Sequence, residues 1–342
     1  MPRQGWSQDV VERVNSRLTS FFDTKLALAR QTSSQAEELV DAVAALTMRG
    51  GKRLRPAALT AGYRAANAGG DVMKTLELCA CLELLQSYLL IQDDWMDDDA
   101  ERRGGPAVHV LLSKRHGDTQ LGASLAILAA DLACGFAWEL LLEAPFPGGR
   151  QSEGVAAFNE MHWEVVCGQQ LDLLGHPDVA LMHQLKTGSY TVRGPLRLGA
   201  LLGNANEQQL DALERFGRPM GMAFQLRDDL LGTFGDASAL GKPIGNDLKR
   251  GKNTSLVAQA RAKLTASELA PLQRVMGNAN ATDDEVELAT ALLVDCGARA
   301  EVEASLAGLL AEATAVLDAA PLSAQGISML GELVELLAVR DR

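Results

Sequence analysis

The sequence has few aromatic residues and almost no runs of β-branched residues. Aromatic residues make up 4% of the chain, whereas Leu and Ala are abundant. Ala and Leu are strong helix formers, and strands are enriched in aromatic and β-branched residues, so a sheet-rich fold is disfavoured. Apolar residues recur with helical spacing nearly everywhere, and strand-like alternation is almost absent. We predict an all-α fold, a helical bundle.

Cysteine is also scarce and scattered. The five cysteines are an odd number, lie far apart in sequence, and have no histidine cluster beside them: Cys79, Cys81, Cys134, Cys167 and Cys296. This pattern disfavours a disulfide framework and a zinc site. We interpret the cysteines as small core residues of a protein in the reducing cytoplasm.

An excess of positive charge is missing as well. The formal net charge is −12, which disfavours nucleic acid as a partner. The first residues, MPRQGWSQDVVERV, lack an apolar stretch, so we expect no signal peptide. Residues 123–142 approach membrane-spanning length but contain Asp131, Glu139 and many small residues. We predict a buried bundle helix there and no membrane span.

No fixed-period repeat and no linker divides the chain. Gly- and Pro-containing breaks separate the helical stretches, and residues 234–254 form a long polar segment rich in Gly and Lys. Loops of that length are usually functional or disordered. We predict a single all-α domain over residues 1–342, with about ten or more helices.

A first aspartate segment, residues 93–99 (DDWMDDD), follows an apolar run that ends at Ile91. On a helix, Asp93 and Asp97 project from one face with Asp94 beside them, and Gln86 lies on the same stripe. These carboxylates repel one another and lie at the negative end of the helix dipole. Mg²⁺ is the natural counterion, because it binds carboxylate oxygens together with phosphates. A solvated acidic helix end is the alternative.

A second aspartate segment, residues 225–232, makes that alternative weaker. Its polar side chains are Gln225, Asp228 and Asp229. They lie on one helical stripe that begins at Gly221 and ends at Gly232. Polar groups on a bundle-facing stripe need partners. Two such stripes can face each other across a cavity in a bundle, and paired carboxylate clamps around metal ions suit transfer reactions at diphosphates.

Basic residues occur close to both segments. They are Lys52 and Arg55, Arg102 and Arg103, Lys186 followed by Thr187, and Lys242 and Lys252. A single Lys or Arg is usually a solvated surface residue. Taken together, these residues predict two anion sites, one bridged by metal and one formed by Lys and Arg alone.

These motifs resemble those of the trans-isoprenyl diphosphate synthases (polyprenyl synthetases). The resemblance covers about Met48 to Thr254. The matching motifs occur in the family's order: GGKRLRP, DDWMD followed by RRG, GQQLD, KTGSYT, GMAFQLRDD and GKPIGNDLKRGKNT.

The resemblance implies a bundle with a deep central cavity, usually a homodimer, and three Mg²⁺ ions on the allylic diphosphate. Asp93, Asp94 and Asp97 match the first metal motif, and Asp228 and Asp229 the second. Residues that match the isopentenyl diphosphate site are Lys52, Arg55, Gln86 and Arg103. Residues that match groups around the allylic diphosphate are Arg102, Lys186 (also expected in catalysis), Thr187, Gln225, Lys242 and Lys252. Gln169 and Asp172 match a supporting element.

The second motif departs from the family pattern at one position. Gly232 stands where the third aspartate is expected. Asp236, four residues later, is one candidate to compensate, and water is another.

The implied reaction is ionisation of an allylic diphosphate, attack by isopentenyl diphosphate and loss of a proton. The product would grow along the helix of the first segment, where Leu85 and Leu89 lie one and two turns before Asp93. Tyr88 matches a position at which an aromatic ring limits growth in the family. Its other interpretation is a core tyrosine with a paired hydroxyl. A product of fifteen or twenty carbons, farnesyl or geranylgeranyl diphosphate, is expected.

Two other functions share part of this pattern. A class I terpene cyclase shares metal-dependent ionisation, but it does not need Lys52, Arg55 and Arg103 for a second diphosphate. A regulatory subunit of a hetero-oligomeric synthase would be expected to lose metal ligands, and this chain keeps its first motif whole.

Overall fold

The computed structural model describes residues 5–235 and 245–338. Its helices in the first half of the chain are α1 (Trp6–Thr32), α2 (Ser34–Met48), α3 (Leu54–Ala66), a 3₁₀ turn (Val72–Thr75), α4 (Leu76–Met96), α5 (Val108–His116), α6 (Thr119–Glu143) and α7 (Gln151–Leu173). Those in the second half are α8 (Val179–His183), a π-helix (Gln184–Arg193), α9 (Gly194–Leu202), α10 (Glu207–Phe234), α11 (Asn246–Lys249), α12 (Ser255–Lys263), α13 (Ala270–Val275), α14 (Asp283–Asp295), α15 (Ala298–Leu317) and α16 (Ala324–Ala338).

The predicted all-α fold is confirmed, with one small addition. Strands β1 (Glu101–Arg102) and β2 (Gly105–Pro106) form an antiparallel hairpin, which the sequence analysis treated only as a break. The two turn residues, Arg103 and Gly104, have φ values of 53° and 70°. Positive φ at both central residues is what a tight two-residue hairpin turn requires.

The chain divides into two compact units. One lies within Met1–Ala157 and Pro195–Asn206, and the other within Phe158–Gly194 and Glu207–Arg342. The prediction of one domain over residues 1–342 stays a prediction. Each aspartate segment belongs to a different unit, and each unit is described by itself below.

In the first unit, α4 is the central helix and packs against α1, α3 and α6. Leu78, Leu82 and Leu85 of α4 are fully buried. A helix that is apolar on most sides lies inside a bundle. Asp97 caps the C-terminal end, and Asp98, with a φ of 54°, leaves the helical conformation. The first aspartate segment therefore straddles the end of a buried helix.

In the second unit, α10 packs against the π-helix and α15. Below it lies an apolar core to which α11, α12 and α14 contribute Leu248, Leu256 and Leu293, all fully buried. The π-helix contains Lys186 and Thr187. Wide-turn helical segments are rare and occur frequently at functional sites.

Helix α6 is the one candidate membrane span among the residues that the structure describes. It has the required length and hydropathy, and 44% of its most apolar window is buried within the protein. Core helices pass the same test, so this is weak support for a membrane span.

Candidate active site

The first aspartate segment is held in shape by its own backbone. Asp93 and Asp94 lie in the last turn of α4, and the N–H of Asp97 donates to the carbonyl of Asp93 at 2.8 Å. The N–H of Asp99 donates to the carbonyl of Asp94, also at 2.8 Å. The chain then reverses through the hairpin, which brings Arg102 back to the carboxylates.

Arg102 lies among three carboxylates. Its Nε donates to Asp94 Oδ1 at 2.6 Å, and its Nη2 lies 3.1 Å from Asp99 Oδ2 and 3.4 Å from Asp93 Oδ2. The Asp94 and Asp99 side chains are 0% and 2% exposed. Burial raises the pKa of Asp94 to about 6, although the hydrogen bond from Arg102 opposes the shift. Buried carboxylates need such a partner, since an isolated buried charge is costly.

Asp94 retains one unused acceptor. Its Oδ2 is buried and has no hydrogen-bond partner. Within residues 5–235 and 245–338, no three His, Cys, Asp or Glu side chains gather closely enough to form a metal site by themselves. Mg²⁺ is usually held by one or two carboxylates and completes its shell with water and substrate phosphates. The first segment, with an available carboxylate oxygen, fits that mode of binding.

A cluster of basic residues surrounds the hairpin in the same unit. A Cβ placed on Gly51 would lie 3.3 Å from Cζ of Arg103, so the guanidinium lies directly against that glycine. Arg49 Nη1 donates to the carbonyls of Arg102 and Pro106, at 3.0 and 2.8 Å, and fixes the hairpin. Burial lowers the pKa of Arg103; the negative charge of Glu83 opposes this shift, and the positive charges of Arg53, Arg55 and Arg102 add to it. A cluster of like charges of this kind favours an anionic ligand.

The predicted residues of this cluster differ in environment. Lys52 is exposed, Gln86 half-buried and Arg55 buried. Arg53, which the sequence did not single out, is buried and ion-paired with buried Glu83. It also donates to Asn15 Oδ1 at 2.9 Å. Arg53 is thus a structural residue between two predicted ligand-binding residues.

The second aspartate segment contains one exposed and one buried carboxylate. Asp228 is exposed on α10, whereas the side chain of Asp229 is 3% exposed. Asp229 Oδ1 accepts from Gln225 Nε2 at 2.8 Å, and its Oδ2 accepts from the backbone N–H of Ser255 at 2.8 Å. Asp229 therefore caps the start of α12, where the helix dipole favours a carboxylate.

Two further residues adjoin Asp229 that the sequence analysis did not identify. His183 Nδ1 lies 3.9 Å from Asp229 Oδ2 and 3.4 Å from Ser255 Oγ. Burial lowers the pKa of His183 to about 4, so the ring is neutral near pH 7. Burial also raises the pKa of Asp229 to about 6, against the hydrogen bonds from Ser255 and Gln225. A backbone N–H such as that of Ser255 leaves no signal in a sequence.

Lys186 and Asp172 form an ion pair in this unit. Lys186 Nζ donates to Asp172 Oδ2 at 2.5 Å, which links the π-helix to α7. Thr187 is half-buried beside it, and Gln169 on α7 has a buried Nε2 without a hydrogen-bond partner. The GQQLD and KTGSYT motifs are therefore neighbours, and one amide donor remains available there.

Of the polar segment after the second aspartate segment, residues 245–254 are described. Lys252 Nζ lies 3.9 Å from Asp247 Oδ1. Lys242 and Asp236, both named from the sequence, lie outside the described residues. Their predicted roles stay predictions.

The three residues predicted to set product length lie on α4. Leu85 is fully buried, Tyr88 is buried and Leu89 is half-buried. Burial raises the pKa of Tyr88, the charges of Cys134 and Asp131 on α6 raise it further, and a hydrogen bond with Gln92 opposes the shift. Tyr88 therefore faces α6, on the flank of α4.

Comparison with known proteins assigns the chain to a family. The family model described as Polyprenyl synthetase matches residues 36–293. The chain belongs to the polyprenyl synthetase family. It is 32% identical to a geranylgeranyl diphosphate synthase of Methanosarcina mazei over 296 residues, 84% of each chain. It is 36% identical to one of Mycobacterium tuberculosis over 260 residues, 72% of this chain and 69% of that one.

A solved structure of the polyprenyl synthetase family is similar throughout. The geranylgeranyl pyrophosphate synthase of Corynebacterium glutamicum, complexed with isoprenyl diphosphate and magnesium, has a TM-score of 0.91 and 31% identity. The match covers 98% of this chain and 100% of that one. The predicted family, helical fold and prenyltransferase class are therefore confirmed.

Proposed function

We propose that this protein is a short-chain (E)-prenyl diphosphate synthase. It would condense isopentenyl diphosphate with allylic diphosphates (dimethylallyl, geranyl and, in one more round, farnesyl) to give farnesyl or geranylgeranyl diphosphate. Diphosphate is released in each round. Family membership supports the reaction class, and the geranylgeranyl names of the relatives favour the twenty-carbon product.

The observation that carries this proposal is the pair of sites of opposite charge in the first unit. The first aspartate segment is intact and braced by Arg102. Next to it, Arg103 lies against Gly51 in the positive field of Arg55. A second diphosphate needs such a Lys/Arg site, which a terpene cyclase does not.

The metal requirement follows from the carboxylates. Asp93, Asp94 and Asp97 would hold Mg²⁺ in the first unit, and Asp228 would hold it in the second, with three ions in all. When bound, Mg²⁺ would stabilise the negative charge that develops on the departing diphosphate. Asp229 would contribute mainly by keeping Gln225 and the start of α12 in place, since both its oxygens accept protein hydrogen bonds.

The basic and polar residues would bind and orient the diphosphates. Arg102, Lys186 and Thr187 would donate to oxygens of the allylic diphosphate, and Gln225, Lys242 and Lys252 would complete its site. Lys52, Arg55, Gln86 and Arg103 would hold isopentenyl diphosphate. Charge-assisted donors that are fixed before the reaction stabilise a leaving group at little reorganisation cost. The released diphosphate would itself accept the proton lost in the last step.

Tyr88 would limit product length. Its bulk lies on α4 against α6, five residues before Asp93. We expect Tyr88→Ala to give longer products, while Tyr88→Phe, which keeps the ring, gives the same products as the wild type. Chromatography of the dephosphorylated products measures this. Products of equal length from Tyr88→Ala, Tyr88→Phe and the wild type would show that Tyr88 does not limit product length. The proposed roles of Leu85 and Leu89 in the same limit would then be dropped as well.

A homodimer is proposed on the exposed face of α6. Every seventh residue of this helix forms a stripe, and its leucines are exposed: Leu121, Leu128 and Leu142, with Gly135 between them. An apolar stripe of this kind is typical of an interface. Sedimentation should give a dimer for the wild type and a monomer for Leu128→Glu. A monomeric wild type would contradict this part of the proposal.

The direct test is a condensation assay. The purified protein is incubated with Mg²⁺, isopentenyl diphosphate and each of the three allylic diphosphates, and the products are separated by length. We expect fifteen- or twenty-carbon diphosphates that disappear on chelation with EDTA. Cyclic hydrocarbons formed without isopentenyl diphosphate would indicate a cyclase. Absence of any product would indicate a regulatory subunit.

A further inference from the structure

Glu83 is a buried carboxylate on α4 to which the proposed reaction gives no role. Its side chain is 2% exposed, and it lies three residues before Gln86 on the same helix. Its Oε2 accepts from Arg53 Nη1, whereas its Oε1 is buried and has no hydrogen-bond partner among the described residues. A buried carboxylate is costly unless both of its oxygens are satisfied. One oxygen of Glu83 is therefore available to a further donor.

Arg53 holds Glu83 in a fixed position. The Arg53 side chain is 1% exposed, and its Nη2 donates to Asn15 Oδ1 on α1 at 2.9 Å and to the carbonyl of Thr47 on α2 at 3.0 Å. Its backbone has a φ of 46°, a left-handed conformation that residues other than glycine seldom adopt. Such a conformation persists only where the surrounding contacts determine it. Glu83 is thus fastened through Arg53 to α1 and α2.

Arg103 is a second arginine that Glu83 influences. Among the charged groups around Arg103, Glu83 has the largest effect on its pKa, and this effect opposes the lowering by burial. The guanidinium of Arg103 lies against Gly51, since a Cβ placed there would be 3.3 Å from its Cζ and its Nη2. A guanidinium carries several N–H donors in one plane. Arg103 can therefore donate to a carboxylate with some of them and to a diphosphate with the others.

We propose that Glu83 is a positioning residue for the isopentenyl diphosphate site. Its Oε1 accepts a hydrogen bond from Arg103 while Arg103 binds the diphosphate, and Arg53 holds its Oε2. This inference rests on the proposed function, in which Arg103 binds isopentenyl diphosphate. It differs in sign from a purely electrostatic role, because a carboxylate near a diphosphate repels it and its removal would then tighten binding.

The first test measures affinity without turnover. Isopentenyl diphosphate is titrated calorimetrically into the protein in the presence of EDTA, so that metal does not contribute. Glu83→Gln keeps an acceptor oxygen for Arg53 but places an amide NH₂ where Arg103 needs an acceptor. We expect its affinity to fall about 10-fold, as loss of one charge-assisted hydrogen bond does.

Glu77→Gln is the matched control for this titration. Glu77 also lies on α4 and accepts from an arginine, Arg17 Nη2, at 2.7 Å. Its side chain is 26% exposed, and it is not among the charged groups that act on Arg103. This variant should bind isopentenyl diphosphate within about twofold of the wild type, since partly exposed pairs contribute little.

The second test separates the two substrates in steady-state assays. Glu83→Gln should raise the KM for isopentenyl diphosphate about 10-fold and leave kcat within about twofold, because the interaction is made in the ground state as well as in the transition state. The KM for geranyl diphosphate should also change by less than about twofold, since Arg102 keeps its own carboxylate partners. A general loss of structure would change all three constants together.

The third test uses two double variants. In the background of Arg103→Ala, Glu83→Gln should weaken binding by less than about twofold, because the contact between the two side chains is already lost. Arg53→Met with Glu83→Leu replaces the buried ion pair by apolar residues, a change that is often neutral for stability. It should unfold in urea near the wild-type midpoint and still bind isopentenyl diphosphate about 10-fold more weakly.

The outcomes separate this inference from the proposed function. If the wild type neither binds isopentenyl diphosphate nor forms product, the proposed function itself is wrong. If the wild type does both, and folded Glu83→Gln binds isopentenyl diphosphate equally well or more tightly, the inference is overturned. An equal loss with and without Arg103, or wild-type affinity in Arg53→Met with Glu83→Leu, would overturn it as well.

Discussion

The two aspartate segments use the same residue type but stabilise it differently. In the first segment, Asp94 is buried beside the guanidinium of Arg102. In the second, Asp229 is buried among neutral donors, the amide of Gln225 and the N–H of Ser255. Burial raises the pKa of both carboxyl groups to about 6. A full opposite charge in one segment and a set of oriented dipoles in the other therefore stabilise similarly buried carboxylates.

The largest expected effects concern turnover. Asp94→Asn and Asp228→Asn should each reduce kcat by about 10³-fold, because each removes a charged ligand from a metal that stabilises several kcal/mol of developing charge. Single-turnover assays with saturating Mg²⁺ measure this. Asp98→Asn is the control, since Asp98 is exposed and its positive φ of 54° suits asparagine. Near-normal turnover in Asp228→Asn would mean that only the first segment binds metal.

Removal of Arg102 should destabilise the metal-free protein more than removal of Gln225. Arg102→Ala leaves Asp94 and Asp99 buried without their cation, and we expect a loss of about 3 kcal/mol in the free energy of unfolding. Gln225→Ala removes a neutral hydrogen bond and should cost about 1 kcal/mol. Urea unfolding with EDTA measures both. Adding Asp94→Asn to Arg102→Ala should restore part of the loss. Equal costs for the two single variants would contradict the comparison.

Acidification should distinguish the two segments. The pKa of Asp94 rises from about 4 in the unfolded chain to about 6 in the folded one. Its stabilising contribution is therefore complete below pH 4 and is lost as the pH rises through 6. In the metal-free protein, this contribution should fall by about 1.4 kcal/mol between pH 5 and 8, and Asp94→Asn should remove that decrease.

In the second segment, His183 and Asp229 change the free energy of unfolding in opposite directions as the pH rises. The pKa of His183 is lowered to about 4, so its contribution is present above pH 6.5 and is lost as the pH falls toward 4. We therefore expect His183→Gln to lose more stability than the wild type as the pH rises from 5 to 8, because the contribution of Asp229 is then no longer offset. Unfolding curves at pH 5, 6 and 8 test this, and an unchanged pH profile in His183→Gln would exclude the opposition.

The smallest effect concerns conservative replacement of Asp229. Asp229→Asn keeps an acceptor oxygen for the N–H of Ser255 and should change the free energy of unfolding by less than about 1 kcal/mol. Asp229→Ala removes both acceptors and should cost about 2 kcal/mol, through loss of the hydrogen bonds and of the charge at the start of α12. Thermal melts of the two variants give the difference.

Residue spacing predicted the elements but not their local partners. The i, i+4 relation placed Asp93 and Asp97 at the end of α4, and Gln225 and Asp229 on α10, as the structure has them. The hairpin escaped prediction because each strand has only two residues, too few for an alternating pattern. The contact of Asp99 with Arg102 depends on that reversal of the chain.

The remaining contacts depend on tertiary structure. The N–H of Ser255 is a backbone group, present at almost every position of any sequence, so its bond to Asp229 had no distinguishing pattern. Asp247 lies fifteen residues after Gly232 in sequence, and only the packing of α11 brings its carboxylate to α10. The sequence did indicate that a carboxylate was missing at Gly232, and its candidate Asp236 lies outside the described residues, so that interpretation stays a prediction.

A crystal structure of the protein with Mg²⁺ and inorganic diphosphate tests the central claim most directly. We predict Mg²⁺ within about 2.1 Å of a carboxylate oxygen of Asp93 or Asp97, and Mg²⁺ at the same distance from a carboxylate oxygen of Asp228. Diphosphate bound by lysines and arginines alone, with no metal at either aspartate segment, would contradict it.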